Sequence, residues 1–315
     1  MTKPRFFSQS NSLAMKHKAN KFVGAFFRYV LLIGLSFIII YPFIARISTM
    51  FMSSADLTDP TVRYIPRHPT FDNITYIFQN ADFGRAFLHT FLISFISASL
   101  TTAMACCVGY GLAKFRLKGA NVVIILVVFT LLVPPQSIMI PMYSYFQFFD
   151  IFGLFKATLG HSLQLTDTYW PVIGLSITGF SFRAGLFILI VWQFMRGVPD
   201  ELLEAADVDG ASTSKTFFSV IVPLSTTILV TVFLLSFCWQ WTDTFYSTTL
   251  YNEIPILANE VVTVGSSATV GGGTSYMSSV ITNTAVMVAI APLIIMYLFC
   301  QRYLVEGIER SGIVG

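Results

Sequence analysis

The sequence predicts an all-α polytopic membrane protein of about six transmembrane helices, with a short helix on the cytoplasmic side between the fourth and fifth. Three observations carry this expectation. Charged residues make up only 11% of the chain and hydrophobic ones 55%, with mean hydropathy +0.71; a water-exposed fold carries about 25% charged residues. Six apolar runs reach the roughly 20 residues that a spanning helix needs. Lys and Arg gather in alternate connecting segments, as the positive-inside rule requires.

The expected spans are Phe26–Ile47, Ala86–Ala113, Val122–Tyr143, Trp170–Met195, Phe218–Trp241 and Ser279–Arg302. Helices are the default for such runs, because an open sheet in lipid leaves backbone groups without partners. The first run is too long for a signal-peptide core and is followed by no small-residue cleavage site, so it reads as a retained anchor. Residues 1–25 before it are a polar, basic and aperiodic lead, and residues 26–315 form the transmembrane domain. With the N-terminus in the cytoplasm, thirteen Lys and Arg fall on the inner side and only Arg63, Arg67, Arg85 and Lys156 on the outer. Both termini are then cytoplasmic. Pro134, Pro135 and Pro141 in the third span, Pro223 at the start of the fifth and Pro292 in the sixth each remove a helix hydrogen bond and predict bends. The outer segment at about 242–278 is polar, with Gly271, Gly272 and Gly273 favouring flexibility. Asn73-Ile74-Thr75 fits a glycosylation acceptor, a pattern too short to decide anything.

Several chemistries are excluded. Cys106, Cys107, Cys238 and Cys300 all lie in apolar runs without metal or disulfide spacing and read as small packing residues. The four His are scattered, so no metal centre is expected. No G-x-x-x-x-G-K-[ST] loop and no paired catalytic carboxylates are present, so the chain is expected to hold no cofactor and to catalyse nothing itself. The net charge of +3 is small, and a lipid bilayer, not nucleic acid, is the expected surroundings.

The most informative stretch runs from Arg196 to Ser212, centred on a segment at about 197–213. Pro199 suits the first helical turn, where its missing N–H costs nothing. Asp200 and Glu201 sit where the helix dipole favours negative charge. Gly210 can take the left-handed conformation that closes a helix. Leu202, Ala205 and Ala206 fall at i, i+3 and i+4 and predict one narrow apolar face. So short and acidic a helix cannot span the membrane and suits an anionic lipid surface poorly. It fits a groove on a soluble partner, although physics alone somewhat favours an ordinary solvated loop helix.

The run Glu204-Ala205-Ala206, then Asp209-Gly210-Ala211, then Val220-Ile221-Val222-Pro223-Leu224 resembles the EAA motif of permeases in binding-protein-dependent ABC importers. Val220 and Val222 depart conservatively from the usual Ile and Leu. The resemblance implies a coupling helix that docks in a cleft of the nucleotide-binding subunit, with Glu204 as its main polar contact and Gly210 permitting the turn. Other stretches resemble the carbohydrate-uptake branch, particularly the second membrane subunit of maltose-type systems: Gly109 to Gly119, Pro134 to Pro141 with Phe152-Gly153-Leu154, and Gln301 to Ile308 with Gly315. This likeness covers residues from about 26 to the end. It implies a sugar or oligosaccharide permease in a bacterial cytoplasmic (inner) membrane. The implied partners are an ABC ATPase dimer that holds ATP and Mg, a second permease subunit, and an extracytoplasmic solute-binding protein. An ABC permease for a non-sugar solute stays open, and an ion-coupled secondary carrier less so, since internal repeats and intramembrane acids are missing.

Arg183 is the one strong charge in the middle of an expected span. It either lines the translocation path, or sits in the outer half, snorkelling to water or paired with a sister subunit. Trp239, Trp241, Phe245 and Tyr246 read as an interfacial aromatic belt before they read as a sugar platform.

Overall fold

The computed structural model describes residues 6–80, 82–115, 117–270 and 275–312. Arg116, the glycines at 271–273 and Gly315 lie outside the described residues. The elements are α1 Phe6–Met50, α2 Ser54–Thr58, α3 Asp72–Asn80, α4 Phe83–Lys114, α5 Ala120–Leu132, α6 Pro135–Gln147, α7 Leu154–Leu159, α8 Trp170–Thr178, α9 Ala184–Arg196, α10 Glu201–Val208 and α11 Thr213–Thr216. A π-turn over Phe217–Ile221 follows, then α12 Val222–Leu224, α13 Thr226–Trp241, α14 Phe245–Leu250, α15 Leu257–Val270 and α16 Ser275–Gly312.

Three stretches are single helices long and apolar enough to span: Lys21–Met50, Phe83–Lys114 and Met277–Tyr303. The third expected span is a pair, α5 and α6, bent by 98°, and the chain turns there because Pro134 and Pro135 stand side by side. The fifth is also bent, by 75°, where Ser225 separates α12 from α13. Just before this bend the chain winds as a π-turn. Pro223 has no N–H to give, and the N–H of Val222 instead reaches back to the Phe217 carbonyl.

The fourth expected span is not continuous. Gly179, at φ +80°, ends α8, and the chain then crosses Phe180, Ser181 and Phe182 before α9 starts at Ala184. Arg183 itself lies in the left-handed region, at φ +58°. Neither α8, of 9 residues, nor α9, of 13, crosses a bilayer alone.

Two further expectations need correction. The lead is helical from Phe6 and continuous with the first apolar run. No Pro or Gly stands between Phe6 and Val23, so helical turns propagate outward from the apolar run. The outer segment after the fifth span is largely helical: Leu257, Val264 and Ala268 make an inward stripe that packs α15 on α4 and α16. Asn73 is buried and donates through its amide to the carbonyls of Met50 (3.1 Å) and Met52 (2.9 Å), so it is a structural brace.

α4 is the central helix, packed along α9, α13 and α8; α5 leans on α9, and α16 on α13, α15 and α1. One apolar cluster, toward the end of α4 that carries Lys114, joins Cys106, Tyr110, Phe187, Val191, Met195, Ile221 and Val232. A second joins α3, α4, α13, α15 and α16 through Phe83, Ala98, Phe237, Trp241, Val264 and Ile281. Lipid tails give no hydrophobic drive between helices, so close approach depends on small residues. Gly109 shows this: a Cβ there would stand 2.8 Å from Val191 Cγ1 and 2.9 Å from the backbone nitrogen of Trp192. The Trp192 backbone cannot swing aside. Gly109→Val is therefore expected to cost about 1–3 kcal/mol through overpacking, read as a lower thermal midpoint in detergent. An unchanged midpoint would show that α4 and α9 are not held this closely.

Candidate functional site

The chain leaves α9 at Arg196, whose guanidinium lies 5.0 Å from the Trp192 ring, and turns through Gly197 and Val198. Val198 is buried and completes the cluster around Tyr110 and Met195. α10 starts three residues later, at Glu201. Its first turn is closed by the Pro199 carbonyl accepting from Leu202 N–H and the Asp200 carbonyl accepting from Leu203 N–H (2.9 Å) and Glu204 N–H (3.0 Å). Pro199 itself stands one place before the N-cap, Asp200, and not at the first helical position that the sequence suggested. At the other end Gly210 adopts φ +73° and donates to the Asp207 carbonyl, while Ala211 N–H reaches the Ala206 carbonyl, both at 3.0 Å. These paired bonds are the Schellman closure that a glycine permits. Ser212 then starts α11 at once, its hydroxyl accepting from Lys215 N–H. The chain reverses within three residues, so Glu204, Ala205, Ala206, Asp209, Gly210 and Ala211 come together in one protruding corner.

The corner is tied to the bundle by a residue that sequence reasoning passed over. Lys114, at the end of α4, donates from Nζ to the Val198 carbonyl (2.5 Å) and to Asp200 Oδ1 (2.6 Å). Its side chain is only 6% exposed, while that of Asp200 is 74% exposed. The signal was a lone basic residue closing a long helix. Nothing in its spacing from α10 names its partners, because the two are more than eighty positions apart.

The apolar face of α10 is not the expected one. Leu203 and Ala206 turn toward the bundle, Leu203 packing on the cluster with Val198, whereas Leu202 and Ala205 are exposed. The helix carries apolar residues all round, and contact with α4 and α9 selects which of them face inward. Outward, on the side opposite Leu203, lie Glu201, Glu204, Ala205 and Val208. Val208 is 87% exposed, an apolar residue at i+4 from Glu204 that also went unremarked in the sequence. Glu204 forms no ion pair among the described residues. Pro223 is not part of this corner; it follows the π-turn and shapes the bend of the fifth stretch instead.

The second place of interest is the break before α9. The Arg183 guanidinium lies 4.8 Å from the Trp239 ring and 5.4 Å from that of Phe182, and is exposed. Behind it Thr101 and Ser181 share a hydrogen bond of 2.8 Å, and Ser97 bonds Ser176 (3.1 Å) and Gln240 (3.3 Å). The aromatic group is no belt. Trp241 is buried, stacked 5.6 Å from Phe237, with Nε1 donating to the Ala289 carbonyl, and Trp239 holds the arginine.

Residues 105–310 match the family described as "Binding-protein-dependent transport system inner membrane component". The chain is 27% identical to the arabinooligosaccharides transport system permease protein AraQ of Halalkalibacterium halodurans, over 96% of this chain and 100% of that one. It is 25% identical to the polygalacturonan/rhamnogalacturonan transport system permease protein YtcP of Bacillus subtilis, over 91% and 96% of the two chains. Among solved structures, a chain of a bacterial ABC transporter involved in the import of the acidic polysaccharide alginate superposes with TM-score 0.71. It covers 90% of this chain and 97% of its own, at 21% identity.

Proposed function

The chain belongs to the family of binding-protein-dependent transport system inner membrane components, and from that premise we propose that it imports a sugar or oligosaccharide and that α10 couples this import to ATP hydrolysis in a separate subunit. The chain is a multi-pass membrane permease subunit of an ABC-type importer; such importers place ATP hydrolysis in a partner and receive solute from a binding protein. Relatives named for arabinooligosaccharides and for polygalacturonan support the sugar reading over a non-sugar solute or an ion-coupled carrier. ATP and Mg belong, on this reading, to an ATPase dimer, a second permease completes the path, and both termini face the cytoplasm.

The observation that carries the coupling reading is the division of α10 into two sides. Its back is fixed to α4 and α9 by Leu203, Val198 and the Lys114 bonds. Its front offers Glu204, Ala205 and Val208 with no intramolecular partner among the described residues. A helix held this way transmits displacement to the bundle and is free to sit in a groove. When ATP draws the ATPase halves together, the corner moves with them and α4 follows through Lys114. The bends at Pro134 and Ser225 let the outer halves of the third and fifth stretches change angle without unwinding. ATP binding in one subunit then biases two arrangements of the other.

The test is to purify the tagged chain in mild detergent from its native membrane and identify what accompanies it. Recovery of an ABC ATPase together with a second membrane subunit supports the reading. A chain that comes through alone, and transports solute alone in liposomes, ends it.

A further inference from the structure

Arg183 occupies an improbable position for a charge. It begins α9, whose 13 residues put it about 20 Å from the end marked by Arg196. Thr101, bonded to the neighbouring Ser181, lies an equal count of residues above Lys114 on α4, so two helices agree on the depth. With an apolar layer about 30 Å thick, the guanidinium stands inside it. No carboxylate pairs with it among the described residues; only the two aromatic rings touch it. A charge at such depth faces a water-filled cavity or a partner and marks a solute path.

The surroundings say which solute. The rings of Phe182 and Trp239 hold the guanidinium by cation–π contact, and the side chain stays exposed. The N-terminus of α9 adds partial positive charge at the same point. Behind them the hydroxyls of Thr101, Ser181, Ser97 and Ser176 form a polar floor satisfied by mutual bonds. The small pocket lined by Ser181, Phe182, Gln240 and Tyr246 cannot take in a sugar ring, so the ligand would lie against the exposed side as one wall of a path. A fixed guanidinium fork recognises a carboxylate with two parallel hydrogen bonds, and aromatic edges beside it suit the apolar face of a sugar.

We propose that Arg183 is a carboxylate-binding residue on the transport path, and that the solutes it selects are oligosaccharides bearing uronic acids. This rests on the importer reading and narrows its substrate class. The same carboxylate chemistry could instead come from the second membrane subunit, and the experiment separates the two.

The importer, purified with its accompanying subunits and placed in nanodiscs, is titrated with tri-galacturonate and with galactotriose while tryptophan fluorescence is followed. Trp239→Phe identifies the part of the signal that reports this position. Saturable quenching by tri-galacturonate is expected, with galactotriose at least about ten-fold weaker. Arg183→Gln is expected to weaken tri-galacturonate binding at least about ten-fold, and Arg183→Lys to recover part of it. Equal response to both sugars, no response, or an unchanged Arg183→Gln titration overturns the proposal. So does loss of the second membrane subunit from Arg183→Gln on purification, which would assign the charge to an inter-subunit ion pair. A preparation without ATP hydrolysis would count against the importer reading itself; one that hydrolyses ATP yet ignores uronate defeats only this inference.

Discussion

Glu204→Lys is expected to abolish most ATP-driven uptake, by a factor of about 30 or more, while the chain still inserts and folds. Glu204 is exposed on the front of α10 and its side chain makes no bond or ion pair among the described residues, so its replacement removes no described side-chain contact. A surface change of this kind ordinarily moves stability by less than about 0.5 kcal/mol. Docked in a groove of the ATPase, the same carboxylate would be largely desolvated. Reversing its sign there leaves the partner's group unpaired and adds repulsion, at a cost of 2–5 kcal/mol or so. At about 1.4 kcal/mol per ten-fold, the lower end already gives the stated factor. The measurement is solute uptake in cells beside the amount of chain in the membrane and the ATPase recovered with it. Uptake at the wild-type rate would remove α10 from the coupling path.

Lys114→Met is expected to separate ATP hydrolysis from transport, and it acts from the opposite side of the same helix. Its ammonium is nearly buried and bridges the Val198 carbonyl and Asp200. Methionine keeps much of the apolar stem and its packing but donates nothing. Asp200 is exposed, and water can replace its lost partner. Val198 is buried, and its carbonyl loses a donor, which costs about 1–3 kcal/mol. The front of α10 is untouched, so the ATPase should still bind and still hydrolyse ATP, now with slack between the corner and α4. The expected reading is several-fold more ATP consumed per solute imported. Lys114→Gln restores a neutral donor and should recover part of the ratio. Asp200→Asn should do less, because the Asn Oδ1 can still accept from the ammonium and the exposed carboxylate it replaces is screened by water. If Lys114→Met lowers hydrolysis and uptake in proportion, the lysine is a packing residue and not a transmitter.

What the sequence disclosed and what it withheld divide along a physical line. Hydropathy reports how long a run is and how apolar; among the described residues three of the expected runs are single spanning helices and two more are bent pairs. It carries no information on direction within the run, so the 98° turn at Pro134 was foreseeable as a bend but not as a right-angle turn. The break at Gly179 to Arg183 was signalled by the charge alone; Gly179 gave no sign, since glycine is common within membrane helices. α15 was obscured by its polar residues, although Leu257, Val264 and Ala268 carry the helical period that would have revealed it. In the corner, the closing cap was legible because Gly210 acts through its own backbone, whereas the helix starts two residues beyond Pro199. The inward face was not, because Leu202 and Leu203 are chemically alike and only contact with α4 and α9 separates them. Lys114 was hidden for a similar reason: its two acceptors are a backbone carbonyl and a carboxylate brought near by the whole fold.

The break in the fourth stretch also governs how the protein is made. The Lys21–Met50 part of α1 is long and apolar enough to cross a bilayer by itself and is not buried against the bundle along its most apolar stretch. It can leave the translocation machinery as soon as it is synthesised. α8 and α9 lack that freedom. Each is too short to partition alone, and the arginine between them penalises entry as a unit. Gly185 in the first turn of α9 lies against Thr130 and the Val127 carbonyl of α5, so its place exists only after α5 is in the membrane. The nascent chain must therefore hold this stretch at the machinery, or at its rim, until α4 and α5 form a surface to receive it. Biogenesis thus has an enforced order, in which the broken fourth stretch is the last of the first four to settle.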